Sequence, residues 1–208
     1  MRFGAVATAY EKTGKLGDAV KFVKSRIDSA TSAGRKPPEN ELLLLLDYQR
    51  RLKDDKGEAE TFEKLVSYYQ KADYWDNVLA PVIKAPGNTD GFTLNVYRLM
   101  RSTGTLKKAS DYTEMAQLSK ETGSSGEALE VLQKGISSNA FTEARDKDRN
   151  ARLLESIKKK VAADQAGVAK ADADAKAGKS GDADVAVART YFGLGQYDKA
   201  TEAVKRGL

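Results

Sequence analysis

Val185-Ala186-Val187-Ala188-Arg189-Thr190-Tyr191-Phe192-Gly193-Leu194-Gly195-Gln196-Tyr197-Asp198-Lys199-Ala200, running on to Val204, decides the fold. It reads as a helix, a tight turn containing glycine, and a second helix folded back on the first. Ala188 and Ala200 are small where the two helices must approach closely, and Tyr191 and Tyr197 flank the turn and wedge the hairpin.

The same arrangement recurs upstream. Ala7 and Ala19 stand 12 residues apart, as do Ala116 and Ala128 and the pair Ala188 and Ala200, with Gly14 and Gly123 at the intervening turns. Tyr10 and Leu16 take the places of Tyr191 and Tyr197. Ala7, Ala116 and Ala188 are separated by 109 and 72 residues, three and two periods of about 36. The intervening marks fall near positions 43, 79 and 152, each inside a helix expected on other grounds.

Between the marked hairpins the chain reads as helix and break in alternation. Pro37-Pro38 opens a helix to Leu52, whose Leu42-to-Leu46 run is wide enough to be buried on most sides. Gly57 reads as the break before a fourth helix carrying Phe62, Leu65, Val66 and Tyr69. Asp73 reads as the N-cap of a fifth helix, Tyr74 to Lys84, which Pro81 should kink. Pro86-Gly87-Asn88-Thr89 breaks the chain before a sixth helix, about Asp90 to Arg101. Thr105 is expected to cap a seventh helix to Glu121, and Ser124 with Glu127 offers a capping box for an eighth. From Thr142 to Ala163 the pattern is a charged helix with Ala151, Leu154, Ile157 and Val161 as its apolar line. Ala166 to Ala177 is nearly all Ala, Asp and Lys, with little to bury, and is expected to be the least stable part.

The order small, aromatic, Gly, aromatic, small in the final stretch resembles the tetratricopeptide repeat, whose period is about 34 residues. The slightly longer units here imply extended loops or helices. The resemblance implies an all-α fold, an α-solenoid of about six antiparallel helical hairpins wound as a right-handed superhelix. Residues 1–208 form one such repeat domain in this reading, with a degenerate Ala-rich fifth hairpin at about 142–178 and a final hairpin at 182–208. The general look is also similar to proteobacterial envelope-associated proteins of this repeat class.

Missing residue types narrow the chemistry. The chain has 35 basic and 30 acidic residues, no histidine and no cysteine. Ser-His-Asp and Cys-His triads, zinc sites and haem ligation are excluded on that ground, and no cofactor and no metal is expected. Asp54 with Asp55, and Asp172 with Asp174, are the remaining carboxylate pairs, and both read more simply as solvated turn or helix surface. Asp172, Asp174, Asp182 and Asp184 lack the spacing of a calcium loop. Gly178-Lys179-Ser180 imitates the end of a phosphate-binding loop, but Ala173 stands where that motif needs glycine and an Ala-rich helix where it needs a strand. Lys158-Lys159-Lys160 with Arg145, Lys147, Arg149 and Arg152 form the densest basic region. Interleaved acids and the absence of aromatics there read as a salt-bridged solvent face, so nucleic acid is disfavoured as a partner.

No run of residues reaches the roughly 18 apolar positions of a membrane span. Met1-Arg2 leads straight into repeat-like sequence with no signal peptide. The expectation is therefore a chain cut from a longer or processed form, soluble in cytoplasm or periplasm, and exported if a leader precedes it.

The resemblance implies a non-catalytic scaffold holding a protein or peptide on a concave face. Matched residue by residue, it places Thr8, Glu11 and Lys12 on that face in the first unit, Thr113, Gln117 and Lys120 in the fourth, and Arg189 and Phe192 in the last. The regular Lys, Asn and Arg set of the chaperone-tail-binding subclass is missing, so no terminal-carboxylate clamp is expected. Two alternatives accompany this reading: a basic module for nucleic acid or an anionic envelope polymer, and a docking segment of a larger enzyme.

Overall fold

The structure, a computed structural model, describes residues 3–178 and 180–208, with side chains from Val6 onward. Met1-Arg2 and Lys179, on which the leader and phosphate-loop readings partly rest, lie outside the described residues. The described residues form eleven α-helices and no strand. They group into two compact units, Met1–Pro86 with Ser102–Thr105, and Gly87–Arg101 with Leu106–Leu208.

The first unit holds α1 (Phe3–Lys12), α2 (Leu16–Ser32), α3 (Glu39–Leu52), α4 (Asp55–Tyr69) and α5 (Ala72–Lys84), each packed on the next. Its core takes Ala19, Val23 and Ile27 from α2, Leu42, Leu45, Leu46 and Tyr48 from α3, and Phe62 and Leu65 from α4. The i, i+3, i+4 spacing of those residues is what puts them on one face of each helix. Gly57 is not the expected break. It sits buried in the first turn of α4, where a Cβ would come within 2.3 Å of the Asp54 carboxylate and 2.6 Å of the Gln49 amide. Asp54 is the cap instead, accepting the Gly57 N–H at 3.0 Å. Helix α5 starts at Ala72, before Asp73, and runs on through Pro81 to Lys84.

The second unit holds most of α6 (Asp90–Thr103), then α7 (Ala109–Glu121), α8 (Ser125–Ser137), α9 (Ala144–Ala177), α10 (Gly181–Gly193) and α11 (Tyr197–Gly207). The N-cap of α7 is Lys108 rather than Thr105. The capping box at α8 does not form: Ser124 makes no side-chain cap, and the Glu127 carboxylate is held by Arg98 and Ser119 instead.

The largest departure from expectation is α9. Where the sequence reads as a degenerate hairpin, one continuous helix of 34 residues runs from Ala144 to Ala177. Gly167 is the poorest helix former between Ala163 and Ala177, and a single glycine costs about 1 kcal/mol, too little to break so Ala-rich a segment. The Ala-rich half does have something to cover. Val168 and Ala175 pack with Val187, Ala188, Tyr191, Ala200 and Ala203 of the last hairpin. Asp172 receives Lys176 at 2.9 Å and also Arg206 from α11.

Recurrent contacts betray the repeat. Lys24 meets Glu60 at 3.7 Å and Lys64 meets Asp28 at 3.2 Å, both across 36 residues from α2 to α4. In the other unit Lys120 donates to Ser156 at 2.8 Å across 36 residues, and Thr113 lies 3.0 Å from the Asn150 amide oxygen across 37. Residues one period apart touch because equivalent helices lie side by side. The turns repeat too. Gly14, Gly123 and Gly195 are all left-handed, and in each the next residue donates back five positions (Lys15 to Tyr10, Ser124 to Ser119, Gln196 to Tyr191). Lys53 takes the same conformation between α3 and α4, so the second hairpin has the turn without the glycine signal. The paired alanines Ala7 and Ala19, Ala116 and Ala128, and Ala188 and Ala200 are all buried. Among the extrapolated marks Leu79 is buried, whereas Leu43 and Arg152 face solvent because the units are unequal in length.

Candidate functional site

The eight residues selected by resemblance have different fates. On α1, Thr8 and Lys12 are exposed, and Glu11 receives the Arg51 guanidinium from α3. On α7, Thr113 is buried, its hydroxyl lying between the Ala109 carbonyl and Asn150, so it is no surface contact. Gln117 accepts from Arg149 at 3.4 Å, and Lys120 is taken by Ser156. All three thus face α9. Arg189 and Phe192, on α10, line a groove to which none of the α7 three contributes.

That groove, of about 1030 Å³, lies within the second unit. Its walls are α6 (Leu94, Asn95, Arg98), α10 (Val185, Ala188, Arg189, Phe192) and α11 (Tyr197, Ala200, Thr201, Val204, Lys205), and Thr122 and Ser124 close it at the α7–α8 turn. Close backbone approach shapes it. A Cβ on Gly193 would fall 2.6 Å from Cα of Ser124, and one on Gly181 would fall 2.4 Å from the Gly207 carbonyl oxygen. Only glycine lets α10 press this tightly against its two neighbours.

A fixed cation stands inside the groove. Arg98 makes a two-pronged pair with Glu127, Nε to Oε1 at 2.9 Å and NH2 to Oε2 at 2.7 Å, and also reaches Asn95 at 2.9 Å. Its guanidinium lies 5.3 Å from the Phe192 ring centre. Phe192 meets Tyr197 edge to face, with centres 5.6 Å apart. These rings are far from covered: Phe192 is 43% exposed, Tyr197 60% and Val204 41%. Exposed apolar side chains thus line one concavity rather than being scattered singly over the surface.

Sequence reasoning missed Arg98, Val204 and Lys205, and read Tyr197 only as a wedge. One signal was present. Tyr197, Thr201, Val204 and Leu208 follow i, i+4, i+7, i+11 and form an exposed stripe on the last helix.

The other candidates have structural duties. Asp54 caps α4. Asp172, held below the usual carboxylate range by the Lys176 and Arg206 hydrogen bonds, joins α9 to α11, and Asp184 takes Arg206 at 2.9 Å. Gly178 follows a helix, not a strand. In the basic region Lys158 pairs with Glu155 at 2.9 Å and Lys160 pairs with Asp164. Among the described residues no group of three or more acidic side chains is placed to hold a metal ion, and no helix is long and apolar enough to cross a membrane.

No family model and no curated protein matches the chain. Among solved structures it is similar to the crystal structure of MamA, at 12% identity over 100% of this chain and 93% of that one, with a TM-score of 0.33. A likeness at that level leaves function to be read from the groove itself.

Proposed function

We propose that the protein is a non-catalytic interaction module of the helical-repeat kind, and that a segment of a partner protein seats in the groove between α6, α10 and α11. The observation that carries this reading is the half-exposed pair Phe192 and Tyr197, set edge to face in a concavity whose floor is Ala188 and Ala200. Aromatic anchors over small floor residues are what a partner's apolar side chains need in order to bury surface at both ends. Fully burying one such ring contributes about 1.5–3 kcal/mol.

A photo-crosslinking residue placed at Thr201, inside the groove, tests this against the same residue at the exposed control Lys56 in the native host. The expected result is a protein captured from position 201 and not from position 56, whose purified form binds the full chain and is lost when Thr201→Trp fills the groove. Equal capture from both positions, or binding indifferent to Thr201→Trp, overturns the reading.

A further inference from the structure

The groove has a charge and a shape that specify its occupant. Among the described residues no acidic side chain lines it. The charge of Arg98 is matched by Glu127, but Arg189 and Lys205 stand at the mouth with no carboxylate partner among the described residues. An occupant offering carboxylates at its flanks would complete both.

Shape argues for a helix over an extended peptide. Every wall is an α-helix or a hairpin turn, so no sheet edge is offered to a strand. An extended segment buried there would leave its own N–H and C=O groups unmatched, whereas a helix satisfies them internally. The exposed stripe Tyr197, Thr201, Val204 is the kind of ridge against which a second helix packs. The volume of about 1030 Å³ holds about two to three turns of a helix ~10 Å across.

Resting on the proposed function, we infer that the occupant is an acidic amphipathic α-helix of a partner protein. Its apolar face lies on Phe192, Tyr197 and Val204, and its flanking Asp or Glu side chains pair with Arg189 and Lys205.

The test is selection of displayed amphipathic peptides of about four turns against the full chain. Their flanking positions are drawn from Glu, Gln and Lys. Selected peptides should carry Glu at the flanks, lose binding when proline interrupts their centre, and fail to bind Thr201→Trp. They should weaken about tenfold or more against the double variant Arg189→Glu/Lys205→Glu. Circular dichroism verifies that the variants stay folded, which the exposure of all three positions favours. Peptides lost on Thr201→Trp but carrying Gln or Lys flanks, or tolerating proline, overturn the acidic helix and leave the groove reading standing. Peptides that bind Thr201→Trp equally, or no enrichment at all, overturn both.

Discussion

The carbonyl oxygen of Gly193 lies 1.8 Å from where a Cβ on Gly126 would sit, so α8 and α10 meet backbone to backbone. Neither neighbour is a flexible side-chain end that could swing aside. Gly126→Ala must therefore push α10 away from α8. It should cost about 1–3 kcal/mol in urea unfolding. An unchanged urea midpoint would mean that the two helices do not touch here.

Burial makes the Gln49 and Thr61 pair the sharpest test of the first unit. The Thr61 hydroxyl donates to the Gln49 amide oxygen at 2.8 Å, with both residues almost fully covered. Thr61→Val leaves that oxygen without a donor and should cost about 1–3 kcal/mol. Adding Gln49→Leu removes the stranded group and should recover much of the loss, a non-additivity that a double-mutant cycle reads directly.

Of the parts legible in the sequence, the hairpins with glycine turns are the clearest. Gly14, Gly123 and Gly195 announce a left-handed turn because only glycine takes it at no steric cost. Lys53 makes the same turn silently, and Gly57 announces one that is not there, since its missing Cβ serves packing instead. The continuity of α9 is hidden in the sequence because an Ala, Asp and Lys composition looks empty of contacts. Small Ala175 is what lets the last hairpin approach. The groove was illegible for a different reason. Arg98 and Phe192 are 94 residues apart in the chain, and only folding sets the guanidinium over the ring.

Acid should loosen the last hairpin. Lys176 and Arg206 hold the Asp172 carboxyl below its ordinary value. A group whose folded pKa is lowered contributes stability above its unfolded value, about 4, and loses it as pH falls through the folded pKa. Helix α11 should therefore loosen below about pH 4, seen as faster amide exchange in Tyr197–Gly207. In Asp172→Asn that region should already exchange faster at neutral pH, with less further change on acidification.

Gly167 offers a gain rather than a loss. It lies inside α9, and a Cβ there would meet nothing within 4 Å. Gly167→Ala should raise stability by about 0.4–1 kcal/mol through lower entropy of the unfolded chain. Thermal melts of the two proteins check it.

Helix α9 also has a mechanical meaning. At 34 residues it is about 51 Å long. It bonds α7 through Asn150 near one end and α11 through Asp172 near the other. It is a strut. A tug on a helix seated beside α11 would be delivered along that rod to α7, so the second unit should yield under load as one piece rather than peel away hairpin by hairpin.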